Sequence, residues 1–239
     1  MNDKKMQRLL KSAYAAPPPQ RKETFLREHR RSEIGYGKLL TIQARYLPPS
    51  AWALSVALFA LILLLSFRLD WRRVWVASAL TPLLAPVAVT VSGQSERWGM
   101  AEWELSSRFS LQSVLLARLL ALGGFHLALL AVLSPVLARC CSLGLLRAGV
   151  YLLAPYLASG AVGLALSRRL DGEEALYASV LTAVGLCLLF GLPGALVPAA
   201  YQVERFPLWV ALLAALTAAL LHEIRCSVKK TGGLYEAHG

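Results

Sequence analysis

Six long stretches of the chain carry almost no charged side chain: 50–67, 74–93, 114–138, 144–166, 175–200 and 207–224. None shows a polar face recurring every three or four residues, which a helix on a soluble core keeps toward water. About 20 apolar residues cross the hydrocarbon core of a bilayer, with a range of roughly 17–25. The pattern predicts an all-α, polytopic membrane protein with six transmembrane helices over 50–224 and a cytoplasmic tail at 225–239. The segments between the runs are polar, and two lie where amphipathic helices are expected.

The first polar segment, 1–49, reads as two helices around a break. Met6, Leu9, Leu10 and Tyr14 recur at spacings of three and four, giving one apolar stripe. Pro17, Pro18 and Pro19 then stop the helix, since each lacks a backbone N–H and constrains its predecessor. In the second stretch Tyr36, Leu39, Leu40, Tyr46 and Leu47 form a stripe facing away from Lys38 and Arg45, and Pro48-Pro49 separates it from the first run. A basic amphipathic helix ahead of a span lies along the inner membrane surface or docks on a protein. The residues leave both readings open, and the two roles are compatible.

Composition changes the picture only in one respect. The chain of 239 residues is 56% apolar and 16% charged, yet has a net charge of +11. Such charge would ordinarily suggest nucleic acid. Its distribution gives another reason: with both termini inside, the cytoplasmic segments hold 18 of the 25 Lys and Arg residues and the outer loops 6. That asymmetry is an orientation signal, so no nucleic-acid partner is needed. Arg68, Arg72 and Arg73 strain this topology, because they fall in an outer turn. No short apolar leader with a small-residue cleavage site is expected at the N-terminus. The expected location is therefore a cell membrane, crossed several times, with the lipid bilayer as first partner; a bacterial source is a separate expectation.

Chemistry for catalysis is missing. No G-x-x-x-x-G-K-[ST] phosphate loop occurs, and Gly35-Tyr36-Gly37-Lys38 has the wrong spacing. His222-Glu223 looks like half a zinc-protease motif, but Cys226 stands where the second histidine is required. The four cysteines show no metal or disulfide spacing. Apart from Glu223 at the inner end of the last one, the six runs hold no Asp or Glu, which disfavours proton-relay transport. The chain is read as no enzyme, with no cofactor and no metal. Arg118 and His126, in the third run, are candidate pathway residues; each also has a plainer reading, Arg118 reaching headgroup phosphate and His126 hydrogen-bonded in the packing. Ala211, Ala215 and Ala219, and Ser159 with Gly163, are small-residue stripes that let helices approach closely.

The informative segment is 95–109, between the second and third runs. Its core, Arg97-Trp98-Gly99-Met100-Ala101-Glu102-Trp103-Glu104, mixes aromatic anchors and Met with carboxylates, a combination suited to docking on protein. The competing reading is an interfacial helix whose tryptophans sit among headgroups. Together with Ser106 to Phe109 and the Leu-Leu-Ala-Arg-Leu run at 115–119, this segment resembles the coupling helix of type-2 ABC export permeases. That resemblance covers about 25 residues in motif, and the whole chain in architecture. It implies a membrane subunit without its own ATPase, working beside a second copy of a permease subunit and docking a separate ABC ATPase subunit. Carried over, Glu102 and Glu104 meet the ATPase, flanked by Arg97, Trp98, Met100 and Arg108. The outer loop 201–206 is short for the family, so Gly191, Pro193, Gly194 and Pro198 are expected to break the fifth run. A different reading is a membrane-anchored regulator, anti-sigma-like, that binds a cytoplasmic protein through residues 1–49; six spans are more than a tether needs. A secondary transporter lacks the intramembrane carboxylates.

Overall fold

A computed structural model describes residues 36–70, 74–92, 111–170 and 172–236. The chain divides into two units, Met1–Gly35 and Tyr36–Gly239, and the described residues all belong to the second. Every regular element among them is helical: α1 (Tyr36–Tyr46), α2 (Pro49–Asp70), α3 (Val74–Leu80), a 3-10 turn (Thr81–Leu84), α4 (Ala85–Ser92), α5 (Leu111–Cys140), α6 (Leu145–Arg169), α7 (Gly172–Leu196), two 3-10 turns (Pro198–Tyr201 and Val203–Arg205) and α8 (Phe206–Glu236). The helix around Met6–Tyr14, the basic stretch after the proline triplet and the segment 95–109 lie outside the described residues.

Among the described residues five spans are long and apolar enough to cross a membrane: Val74–Val91, Ser113–Cys140, Leu145–Arg169, Glu173–Leu196 and Val203–Val228. A sixth arises if Gly37–Tyr46 and Pro49–Leu65, bent by 87° at their junction, count as one. The bend sits at Pro48-Pro49, and Pro49 opens α2 where a missing N–H costs nothing. Helix ends are marked by charge as the backbone dipole favours: Arg168 and Arg169 close α6, and Glu173 and Glu174 open α7. The last helix runs on past Ile224 to Glu236, because the polar residues after the run contain no proline.

The span Val74–Val91 is the pillar of the bundle, with 72% of its apolar window buried. Helix α6 packs along it, and 56% of its own window is buried. The core clusters Ile62, Leu84, Leu130, Leu133 and Leu152 where α2, the 3-10 turn, α5 and α6 meet. Helices α7 and α8 form an outer layer with 11% and 6% of their windows buried. Their outward faces carry Leu181, Leu189, Leu208 and Leu221, all exposed. Apolar surface of this extent is an association liability in water and is ordinary toward lipid.

Two expectations about small residues change. Gly191, Pro193 and Gly194 do not break the fifth run: α7 is continuous to Leu196, and the chain turns only at Val197-Pro198. Val197 N–H still donates to the Pro193 carbonyl. The glycines serve close approach instead. A Cβ on Gly191 would lie 3.2 Å from the Ala79 Cβ, and one on Gly194 would fall inside the Trp75 side chain. Of the two stripes, Ser159 and Gly163 are buried, a Gly163 Cβ meeting Val89 at 3.1 Å. Ala211, Ala215 and Ala219 face outward, away from the rest of the chain.

Candidate functional site

Polar side chains inside the bundle are few, and nearly all are spoken for. His126, in the middle of α5, is fully buried. Its Nε2 lies 2.8 Å from Ser55 Oγ on α2, and its Nδ1 lies 3.4 Å from the Tyr156 hydroxyl on α6. Ser55 Oγ donates to the Ala51 carbonyl at 2.8 Å. A hydroxyl has one proton to give, so Ser55 must accept from His126. That assigns the imidazole proton to Nε2 and leaves Nδ1 to accept from Tyr156. The relay Tyr156, His126, Ser55, Ala51 is then satisfied in one direction, with a neutral imidazole. Beside it Trp52 and Phe125 meet edge to face at 4.9 Å, closing the α2–α5 contact with apolar rings.

Arg118 sits nearer the start of α5, and its Nε donates to Gln43 Oε1 on α1 at 3.3 Å. Gln43 lies on the buried stripe of α1 between Leu39 and Leu47, also buried, while Lys38 and Arg45 are not on that face and Tyr46 is 78% exposed. Of the stripe expected from the sequence, Leu39 and Leu47 are buried, Leu40 is half-buried and Tyr46 is exposed, while the Tyr36 side chain lies outside the described ones. The geometry gives Arg118 a role at the α1–α5 contact, and puts α1 against the end of α5 from which residues 93–110 depart.

A cavity of about 200 Å³ opens between α4, α5, α6 and α8. Ala88, Gly123, Gly124 and Gly160 make room for it, Leu120 and Leu220 stand among its walls, and Tyr156 contributes its ring. His126 does not line it; through Tyr156 it holds one of the walls.

At the other end of the bundle an aromatic cluster closes the turn between α7 and α8. Tyr151, Tyr201, Phe206 and Trp209 meet at centroid distances of 4.9–6.2 Å. Tyr201 donates to the Phe190 carbonyl at 2.9 Å, Tyr151 to the Tyr201 carbonyl at 3.2 Å, and Trp209 Nε1 to the Ala200 carbonyl at 2.9 Å. Burial pushes the Tyr201 hydroxyl up to about 12, so it remains a neutral donor.

The prolines inside these helices would leave carbonyls four residues earlier without partners. Pro82 releases Ser78, whose carbonyl accepts from Thr81 Oγ1 at 2.9 Å; Pro135 releases Ala131, which accepts from Ser134 Oγ at 3.1 Å. Pro86 and Pro155 follow alanines and have no adjacent hydroxyl. Their released carbonyls, Pro82 and Tyr151, accept from across the interface, Ser159 Oγ at 2.9 Å and Ser78 Oγ at 2.6 Å, and the Pro82 carbonyl also accepts from the Ala85 N–H within the 3-10 turn.

The remaining sequence candidates behave structurally. Glu223 pairs with Arg168 at 2.9 Å, tying α8 to α6, and His222 Nε2 lies 3.5 Å from Cys226 Sγ on the same helix. No group of three or more His, Cys, Asp or Glu that could hold a metal occurs among the described residues. Arg97, Trp98, Met100, Glu102, Glu104 and Arg108 lie outside them. Sequence reasoning missed Ser55, Ser78, Thr81 and Tyr156, although a hydroxyl placed just before a proline is a readable signal at Pro82 and Pro135. No family model, no curated protein and no solved structure matches the chain.

Proposed function

We propose that the chain is the membrane-spanning permease subunit of an ATP-driven exporter in the cell membrane, crossing six times with both termini cytoplasmic. In this reading α2 is the first span: its 22 residues measure about 33 Å at 1.5 Å per residue, enough to cross. Helix α1, at a right angle to it, lies along the inner surface with Lys38 and Arg45 toward headgroups. Two copies of a permease subunit enclose the pathway, and two separate ATPase chains dock on residues 95–109 through Glu102 and Glu104.

The observation that supports this best is the Arg118–Gln43 hydrogen bond at 3.3 Å. It joins the surface helix to the beginning of α5, the helix that follows the acidic, tryptophan-bearing segment. A push delivered to residues 95–109 by closing ATPase subunits would thus move α5 and α1 together. The motion would then reach His126, and through Tyr156 the cavity between α4, α5, α6 and α8. The energy source is external because the sequence has no phosphate-cradling loop.

Affinity purification of the full chain from its native host in mild detergent tests the assignment. A P-loop ATPase is expected as the stoichiometric companion. A preparation holding no such ATPase would overturn it, and recovery of a transcription factor bound through residues 1–49 would move the chain to the regulator reading.

A further inference from the structure

The cavity between α4, α5, α6 and α8 has about 200 Å³ of space and a wall that is almost wholly hydrocarbon. A void lined this way stays dry, and left empty it would forfeit packing across its whole lining. The groove therefore suits an apolar occupant. Its size excludes a helix, whose diameter is about 10–12 Å with side chains. Its lack of polar lining excludes a ligand that must be oriented by hydrogen bonds, since such sites place a few polar groups among apolar ones.

The cavity is also continuous with the outside of the bundle. Leu120 and Leu127, on its α5 side, are 53% and 45% exposed, so it opens to the outside between α5 and α8. It runs along α5 from Leu116 to Leu127, about 16 Å at 1.5 Å per residue. Its shape is preorganised: Gly160 brings α6 close to Leu220 on α8, where an added Cβ would lie 3.6 Å from the leucine. The Tyr156 ring is held in the wall by its hydroxyl's bond to His126.

We propose that this groove holds one hydrocarbon chain of a bilayer phospholipid, inserted from the side between α5 and α8. The inference rests on the membrane reading and is independent of any ATPase partner. Gly124 is the position that controls entry, because a Cβ there meets nothing within 4 Å and a larger side chain would grow into open groove without displacing the fold.

The test uses the full chain in nanodiscs of phosphatidylcholine carrying a diazirine in one acyl tail, with adducts mapped by mass spectrometry. The groove residues Leu120, Leu127 and Leu220 are expected to be labelled several-fold more than Leu181 and Leu189 on the open face of α7. Gly124→Leu should remove that excess and leave α7 labelling unchanged. Labelling of the groove no greater than that of α7 in the unaltered protein would overturn the proposal, whatever the variant does. So would an excess that survives Gly124→Leu.

Discussion

Ser159 of α6 donates its hydroxyl to the carbonyl of Pro82 at 2.9 Å, and Ser78 of α3 returns the favour to the carbonyl of Tyr151 at 2.6 Å. Each acceptor lies four residues before a proline, Pro86 and Pro155, that cannot supply the usual N–H. Two proline-bearing segments thus exchange hydroxyls across one interface, and both carbonyls have partners in the apolar interior. Thr81 Oγ1 stands between the two elements, 2.9 Å from the Ser78 carbonyl and 3.2 Å from that of Leu152, so its one proton serves either side.

Removing one of these donors should therefore cost more than an ordinary membrane hydrogen bond only while its proline is present. Ser78→Ala is expected to destabilise by about 1 kcal/mol, within the range found between membrane helices. Pro155→Ala restores the N–H missing opposite the Tyr151 carbonyl, so Ser78→Ala in that background should cost clearly less. Thermal unfolding of the four variants in one detergent measures the cycle; simple additivity would contradict the account.

The His126 relay makes a spectroscopic prediction. Nitrogen-15 shifts of the imidazole should show a neutral ring protonated on Nε2, with Nδ1 accepting from Tyr156. Tyr156→Phe and His126→Leu are each expected to cost about 1–3 kcal/mol through the group left unpaired. The double variant should cost less than their sum, because the second change removes the orphan made by the first.

Two glycines of one helix should respond oppositely to alanine. Gly194 has the Trp75 side chain where its Cβ would go, whereas Gly185 has nothing within 4 Å. Gly194→Ala forces α7 away from α3 and is expected to destabilise by about 1–3 kcal/mol. Gly185→Ala should be neutral or stabilising by up to about 1 kcal/mol, the propensity difference. Thermal midpoints of the two variants decide it.

Arg168 and Glu223 tie the end of α6 to α8, with side chains 29% and 17% exposed. Arg168→Glu should loosen α8, seen as faster hydrogen exchange in residues 220–228. Exchanging the two charges, Arg168→Glu with Glu223→Arg, should recover most of that protection, since the attraction survives reversal. Protection unaffected by the single change would show that apolar packing alone holds α8.

Much of the architecture was legible because the bilayer criterion needs only length and apolarity. The third, fourth and fifth runs become α5, α6 and α7 with ends shifted by a few residues. The glycines of α7 misled, since Gly191 and Gly194 read equally as breakers or as contact points. Only the nearness of Ala79 and Trp75 chooses between them. The outward turn of Ala211, Ala215 and Ala219 was likewise hidden, as a small-residue stripe does not name its neighbour. The His126 relay joins residues 71 and 30 positions apart, and no local pattern announces such a meeting. Thr81-Pro82 and Ser134-Pro135 were readable in place, whereas the partners of Pro86 and Pro155 depended on which helices pack together.

The central claim is that residues 95–109 couple this chain to an ATPase, and one paired measurement bears on it directly. The unaltered chain and a Glu102→Lys, Glu104→Lys variant are purified side by side from the native host, and the P-loop ATPase recovered with each is quantified. The account predicts a stoichiometric ATPase with the unaltered chain and its loss from the charge-reversed one at equal membrane yield. Equal ATPase recovery from both, or none from either, would contradict it.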